Sequence, residues 1–246
     1  MHSPFVFEFI TKVLNDKTVY PPYSLVENLR HQLVKDQTVL SIEDFGAGSK
    51  VDKTNQRTIA SIAKNASKSA KFGQLLYRMV RYYQPHTVLE LGTSLGITSS
   101  YLSLAKPAAK LITMEGATAI AETARQNFKT FKLQNIEIVT GNFDETLSTV
   151  IETLSRVEGL SSIDLAFIDG NHRREPTVKY FNQLLPVTNN DSILIFDDIH
   201  WSKEMEQAWE SIKQHTSVRC TIDLFFIGIV LFRREFKEKQ HFAIRF

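Results

Sequence analysis

From Thr87 onward, short apolar runs alternate with longer amphipathic stretches along the chain. Short apolar runs are typical of buried strands, and amphipathic stretches are typical of helices that cover a sheet on one side. Parallel neighbouring strands need a crossover between them, and a helix usually supplies it. The alternation therefore predicts an α/β domain built on a doubly wound, mostly parallel sheet.

Seven apolar runs are the candidate strands of this sheet. They are Thr87 to Leu91, Lys110 to Met114, Ile136 to Thr140, Ile163 to Ile168, Ser192 to Phe196, Val218 to Leu224 and Ile227 to Phe232. Only Phe225 and Phe226 separate the last two runs, which is too short for a crossover helix, so this pair is predicted to be an antiparallel hairpin. Helices are predicted at Lys71 to Gln84, at Ile97 to Ala105, at Phe143 to Val157, around Pro176, and after Ser202 as N-cap.

Residues 1–70 have a different pattern. The apolar residues between Phe5 and Leu14 predict a short helix that the pair Pro21-Pro22 breaks, and a second helix is expected near Ser24 to Lys35. We interpret residues 1–70 as an N-terminal helical extension, either a lid or a dimer contact, on a domain of residues 71–246. The apolar end of the C-terminal tail, Phe242 to Phe246, is expected to dock on its own fold or on a second copy of the chain.

Composition excludes several classes of protein. Hydrophobic residues make up 43% of the chain and charged residues 23%, which is ordinary for a globular protein and argues against disorder. Cys220 is the only cysteine, so an internal disulfide is excluded. The longest strongly apolar run, from Leu224 to Phe232, is far shorter than the roughly 20 residues of a membrane span. With a net charge of +2 and a poor signal sequence at the N-terminus, we expect a soluble cytoplasmic protein without a nucleic-acid partner.

A glycine turn follows the first candidate strand, at Glu90-Leu91-Gly92-Thr93-Ser94-Leu95-Gly96. A strand, a glycine turn and a helix N-terminus together form a nucleotide-type site, in which Gly92 permits the turn and Gly96 lets a ligand approach bare backbone. The spacing differs from the G-x-G-x-x-G of dinucleotide enzymes. The carboxylate of Glu90 suits a cationic or amino group better than a pyrophosphate.

Polar residues also end the next two candidate strands. Glu115 ends the second strand, where an acid can accept hydrogen bonds from both hydroxyls of a ribose. Asn142 and Phe143 follow the third strand and could hold an adenine with an amide and a ring. Ligands of open α/β sheets bind at the carboxyl ends of the strands, so these residues predict an adenosine-type ligand.

Carboxylates and imidazoles follow the fourth and fifth candidate strands. Asp169 and His172 come after the fourth, and Asp197, Asp198 and His200 come after the fifth. Because these strands are expected to be neighbours, the side chains should meet at one edge of the sheet. Buried carboxylates need compensation, which indicates a divalent cation such as Mg²⁺, Mn²⁺ or Ca²⁺, or a transition metal if the imidazoles take part.

The segment VLELGTSLGITSSYL, followed by LITMEG, resembles the first two motifs of class I S-adenosylmethionine-dependent methyltransferases, and more narrowly the catechol O-methyltransferase-like branch. The resemblance covers about Lys71 to Phe232. It implies a Rossmann-like sheet of seven strands, with Glu90, Gly92 and Ser94 near the methionine moiety of S-adenosylmethionine. It also implies Glu115 at the ribose, and Asn142 and Phe143 at the adenine.

For the acidic positions, the resemblance implies a divalent metal held by Asp169, Asp197 and Asp198. That branch has a lysine as general base three residues after the first Asp, and this chain has His172 there. A histidine, with a pKa of about 6.5, can accept a proton near neutral pH. The interpretation that follows is O-methylation of a small-molecule hydroxyl, with His172 as the base and Asp169 beside it, and His200 as the alternative base.

Other functions stay open at this point. A nicotinamide-dependent reductase would share the fold class and the ribose-binding acid, and a non-catalytic sensor of an adenosyl ligand would need no acidic cluster. An RNA methyltransferase could use the basic segment from Lys50 to Lys71, although a solvated helix face explains that segment equally well. A second glycine-rich stretch, residues 43–49, lacks a following βα unit and is interpreted as a loop that could fold over the site.

Overall fold

The computed structural model describes residues 3–42, 55–65, 69–156 and 162–246. The helices in these ranges are α1 (Pro4–Glu8), α2 (Pro21–Leu33), α3 (Ile59–Asn65), α4 (Ala70–Tyr83), α5 (Ile97–Ala105), α6 (Thr118–Thr130), α7 (Phe143–Arg156), α8 (Arg174–Leu184) and α9 (Lys203–Gln214). The strands are β1 (Val39–Ser41), β2 (Gln56–Thr58), β3 (Thr87–Leu91), β4 (Lys110–Glu115), β5 (Ile136–Thr140), β6 (Leu165–Ile168), β7 (Ile193–Asp197), β8 (Cys220–Asp223), β9 (Ile227–Leu231) and β10 (Gln240–Ala243). The predicted loop at residues 43–49 and the end of the third predicted helix, Val157, lie outside the described residues.

The central sheet has eight strands in the order β10-β8-β9-β7-β6-β3-β4-β5. β9 is antiparallel to both of its neighbours, and the other pairs are parallel, so the predicted antiparallel hairpin of β8 and β9 is confirmed. The predicted number of seven strands is wrong by one, because the C-terminal tail adds β10 beside β8. The tail therefore docks on its own fold.

The order of the strands reverses at β3. The chain proceeds outward from β3 to β4 and β5, and then returns to place β6 on the other side of β3. Such a reversal leaves a crevice at the carboxyl ends of β3 and β6, because the connections on its two sides run in opposite directions. This crevice is where an open α/β sheet binds ligands.

The sheet is buried on both faces, as the continuous apolar runs of β3, β6 and β7 require. Alternate residues of β3 belong to different cores. Val88 packs on one face with α4, α5 and the N-terminal helices, and Leu89 and Leu91 pack on the other face with α7, α8 and α9. Among the described residues, none of the helices is both long enough and apolar enough to cross a membrane.

The N-terminal zone is helical for most of its described length. α1 continues into a π-helix at Phe9–Leu14, and α2 begins at Pro21. The prediction that Pro21-Pro22 breaks the first helix is therefore wrong. That helix ends at Leu14, and the prolines open α2, where the missing N–H group removes no hydrogen bond. The strands β1 and β2 form a small antiparallel pair that the sequence did not indicate.

Polar contacts attach this zone to α4 and α5, and two of them are short. The Nε of buried Arg78 on α4 donates to the carbonyl oxygen of Val13 at 2.7 Å. The hydroxyl of Tyr101 on α5 donates to Oε1 of Glu27 at 2.8 Å. Because α5 follows the glycine turn, α2 is joined through Tyr101 to the helix that carries the candidate ligand site. The division at residue 70 stays a prediction.

Candidate functional site

The glycine turn lies where β3 passes into α5, and two of its glycines are required by close approach. Gly92 has a φ of 103°, and a Cβ atom there would lie 2.0 Å from the carbonyl oxygen of Asp169. Gly96 has a φ of 79°, and a Cβ atom there would lie 2.5 Å from the ring of Phe128 on α6. Gly92 therefore brings the ends of β3 and β6 together. The missing side chain of Gly96 accommodates Phe128, and the approach of a ligand to Gly96 stays a prediction.

Glu90 is completely buried beneath this turn. Its Oε2 accepts hydrogen bonds from the hydroxyl of Ser99 and from that of Thr113, the latter at 2.6 Å. Burial raises the pKa of the Glu90 carboxyl to about 8, so the carboxyl is mainly protonated at neutral pH. Glu90 connects β3 to α5 and β4. Its other oxygen, Oε1, is buried and has no hydrogen-bond partner among the described residues. The placement of Glu90 near the methionine moiety of the cofactor stays a prediction.

Glu115, at the end of β4, holds the other side of the turn. Its two oxygens accept the backbone N–H groups of Ser94, at 2.8 Å, and of Ala117, at 3.0 Å. Ser94 has a φ of 48°, and its buried Oγ has no hydrogen-bond partner among the described residues. The contact places Glu115 beside the glycine turn, as the sequence predicts for a ribose-binding acid. The Ser94 hydroxyl lies buried at the same turn.

Asn142 and Phe143 begin α7 after β5. The side-chain oxygen of Asn142 accepts the backbone N–H of Asp144 at 3.0 Å, which is the capping role that such a residue has at a helix start. The Phe143 ring extends to the end of β6, where a Cβ atom at Gly170 would lie 2.7 Å from it, and meets Tyr180 edge-on at 6.2 Å. Phe143 thus joins the β5 and β6 sides of the crevice.

The predicted convergence of acids and imidazole at β6 and β7 is present for three side chains. Asp169, His172 and Asp197 each offer one ligand atom, and these atoms all lie within 4.8 Å of one another. Nε2 of His172 is 3.5 Å from Oδ1 of Asp169. Asp197 is 1% exposed. We call these three residues the acidic group.

Asp198 was predicted as the third metal-binding carboxylate. Among the described residues, it is not one of the three that form the acidic group. It has a φ of 52°, and its carbonyl oxygen accepts the N–H of Trp201 at 2.9 Å. The third member of the acidic group is His172. His200, the alternative base, contacts Asp223 and not the acidic group: its Nε2 lies 2.8 Å from Oδ2 of Asp223.

Several residues of the site were missed by the sequence analysis, among them Ser99, Thr113, Tyr180 and Asp223. Their roles come from contacts between different helices and strands, which the sequence pattern alone does not reveal. One signal existed for Ser99, because it lies nine positions after Glu90 on the helix that the glycine turn opens. No such signal existed for Asp223, because the predicted hairpin in which it lies contained no other motif.

Residues 89–199 match the sequence profile of a family described as a methyltransferase domain. Over these residues the chain is similar to methyltransferase domains. The matched segment begins in β3, contains the glycine turn and Glu115, and ends after the acidic group. The resemblance to class I S-adenosylmethionine-dependent methyltransferases of the catechol O-methyltransferase-like branch is thereby confirmed.

A curated relative, the catechol O-methyltransferase of Niastella koreensis, is 27% identical to the chain over 135 residues. The aligned region covers 54% of this chain and 58% of the relative, so the chain spans little more than half of the length of that protein.

Two solved structures are similar to this chain over nearly all of its length. The O-methyltransferase TomG from Streptomyces achromogenes, in complex with SAM, has a TM-score of 0.61 at 17% identity, with 93% of this chain and 95% of that chain covered. The SAH-bound Podospora anserina methyltransferase PaMTH1 has a TM-score of 0.63 at 12% identity, with 95% and 97% covered. At these identities the likeness shows the fold, and it includes the N-terminal zone.

Proposed function

We propose that the protein transfers a methyl group from S-adenosylmethionine to the hydroxyl of a small molecule. The observation that carries this proposal is the contact between Gly92 and Asp169. It brings the glycine turn, with Ser94 and Glu115, against the strand end that carries the acidic group. A methyl donor on the turn and an acceptor hydroxyl at the acidic group would then be neighbours. Such alignment of two reactants can supply about 7–11 kcal/mol of the barrier reduction.

The residues at the turn fit the groups of the proposed cofactor. Glu115 accepts the backbone N–H groups of Ser94 and Ala117, and a carboxylate is the kind of acceptor that ribose hydroxyls bind. The buried Ser94 Oγ offers a hydroxyl to the methionine moiety. The Phe143 ring, at the next strand end, provides an apolar surface for the adenine. When bound, S-adenosylmethionine supplies an electrophilic methyl group on a positively charged sulfur.

The acidic group would prepare the acceptor. During transfer, the bond from the methyl carbon to the acceptor oxygen forms as the carbon–sulfur bond breaks, and the hydroxyl proton must leave. We assign this proton to His172, because its imidazole lies within the acidic group and can take a proton at neutral pH. Asp169, 3.5 Å away, stabilises the protonated ring and fixes its orientation. The products are the methyl ether and S-adenosylhomocysteine, and the protonated ring returns its proton to solvent.

A divalent cation fits the same place. Asp169 and Asp197 have carboxylate oxygens close enough together to bind one divalent ion, and oxygen ligands suit Mg²⁺ or Mn²⁺. In this assignment His172 is not a metal ligand, because its nitrogen is needed as the base. A bound cation would lower the pKa of the acceptor hydroxyl. Asp169 and Asp197 would hold it, and Asp198 is close in sequence to complete the set.

The test is methyl transfer to catechol, chosen as probe because the curated relative is named for it. Formation of S-adenosylhomocysteine is measured for the wild type, for H172A and D169N, and for H31A on the exposed surface of α2 as a matched control. General-base catalysis contributes about 10²- to 10⁴-fold, so H172A should lose at least 100-fold while H31A keeps the wild-type rate. Full turnover by a folded H172A variant would refute the assigned mechanism.

A further inference from the structure

His200 connects the loop after β7 to the hairpin formed by β8 and β9. Its Nε2 donates to Oδ2 of Asp223 at 2.8 Å, since the carboxylate can only accept. Its Nδ1 lies 3.6 Å from Oε1 of Glu206 on α9. One face of the ring stacks on Phe225, with centroids 5.4 Å apart. A ring that is contacted at both nitrogens and on one face is held in a single orientation.

Asp223 also holds the tip of the hairpin. Its Oδ1 accepts the backbone N–H of Phe225 at 2.7 Å. Phe225 has a φ of 73°, and the N–H of Phe226 donates to the carbonyl oxygen of Leu224 at 3.0 Å, which together describe a γ-turn with positive φ. A bulky residue persists in this strained conformation only when its surroundings hold it. One oxygen of Asp223 therefore holds the hairpin tip, and the other accepts the hydrogen bond from His200.

The strand register places this arrangement at the ligand-binding edge of the sheet. Asp197 of β7 is opposite Ile227 of β9, and Asp223 of β8 is opposite Gly228. The contact between His200 and Asp223 therefore reaches across the start of β9, from the loop after β7 to the end of β8. Asp169 is on the opposite side of β7, because it follows β6. The contact adjoins the acidic group without belonging to it.

Three large rings are presented to solvent at this place. Trp201 is 55% exposed, Phe225 63% and Phe226 52%. Trp201 follows His200 directly, and the other two form the hairpin tip. The Phe226 ring packs edge-on against Phe72 at the start of α4, at 5.5 Å. We call Trp201, Phe225 and Phe226 the aromatic rim.

We propose that His200 is a positioning residue, which through Asp223 fixes the aromatic rim as the outer wall of the acceptor site. The inference rests on the proposed methyl transfer, since the rim has an acceptor to enclose only if the acidic group binds one. His200 itself touches neither the acidic group nor the glycine turn. Its loss is therefore expected to loosen the wall and to leave the cofactor side intact.

The first experiment needs no ligand, because Trp201 reports on the rim. The chain has two tryptophans, and Trp209 is 2% exposed, so collisional quenching by acrylamide is dominated by Trp201, with W201F measuring the remainder. H200F retains a ring but removes the donor to Asp223, whereas the amide of H200Q can still donate. Trp201 is 55% exposed in the wild type, so complete exposure would raise the quenching constant by up to about 1.8-fold.

We expect this rise in H200F, wild-type quenching in H200Q, and no change in the surface control H31F. Equal quenching in H200F and the wild type would overturn the proposal, and so would an equal rise in H31F. These outcomes are independent of any enzymatic activity, so they separate a failure of this inference from a failure of the proposed function.

The second experiment tests whether the wall acts on the acceptor. A hydrogen bond with a charged partner can shift an equilibrium about 10-fold, so H200F should raise the KM for catechol about 10-fold. The Kd for S-adenosylmethionine should stay within about 2-fold of the wild type, because Ser94 follows β3 and Glu115 ends β4, whereas β6 separates β3 from β7, the strand before His200. A parallel loss of cofactor affinity would contradict a role confined to the acceptor side.

Discussion

The buried carboxyl of Glu90 predicts an unusual dependence of stability on pH. Its pKa is about 8 in the folded protein against 4.5 for an ordinary Glu, because burial disfavours the charged form. Between these two values the unfolded chain ionises while the folded chain keeps its proton. The free energy of unfolding therefore falls as pH rises from 4.5 to 8, and the contribution is lost completely above pH 8.

The size of the effect follows from the shift. One pKa unit corresponds to about 1.4 kcal/mol, so the three pH units from 5 to 8 lower the stability of the wild type by as much as about 4 kcal/mol through this group. E90Q retains the shape and an oxygen that can accept from Ser99 and Thr113, but it cannot ionise. Its stability should lack this fall.

The assay is urea unfolding at pH 5 and pH 8, followed by circular dichroism. The control is E122Q, an exposed Glu on α6, which should keep the wild-type dependence. We expect E90Q to gain stability relative to the wild type as pH rises. Parallel pH dependences for E90Q and the wild type would show that Glu90 is ionised in the folded protein, and would refute its assignment as a neutral group beneath the turn.

Two further substitutions test the glycine turn, and a third tests the N-cap of α9. E115Q should weaken S-adenosylmethionine binding by about 10-fold or more in calorimetry, because it removes the carboxylate that we propose as the acceptor of the ribose hydroxyls. G96A should lower the free energy of unfolding by about 2 kcal/mol or more, since its Cβ meets the Phe128 ring and its φ is positive, and G96A combined with F128A should recover part of the loss. S202A should cost about 1 kcal/mol in thermal unfolding, because the Ser202 hydroxyl accepts the N–H of Met205 at the start of α9.

The strands could be predicted from the sequence, because buried parallel strands are continuous apolar runs. The ligand-binding ends of the strands could also be predicted, because polar residues follow directly where each apolar run ends. β3 and β5 were predicted with their observed bounds. The eighth strand could not be found in this way. β10 is an edge strand with alternating half-buried and exposed residues, and its four-residue sequence, Gln-His-Phe-Ala, has no apolar run.

Side-chain roles were harder to predict, because they depend on contacts between distant segments. No pattern in the sequence indicates that Phe128 of α6 packs against Gly96. Nor does any pattern indicate that hydroxyl groups on α5 and β4 donate to Glu90. The positions of Glu115 and Asp169 were predictable, since both stand at the carboxyl ends of strands that adjoin the reversal of the sheet.

The central claim is that the glycine turn and Glu115 bind S-adenosylmethionine beside the acidic group. Calorimetric titration of S-adenosylmethionine into the protein, once with Mg²⁺ and once with EDTA, tests it most directly. The account predicts micromolar binding in both titrations, and a difference between them if a cation occupies the acidic group. Absence of binding in both titrations would contradict the account, because the residues assigned to the cofactor would then hold no such ligand.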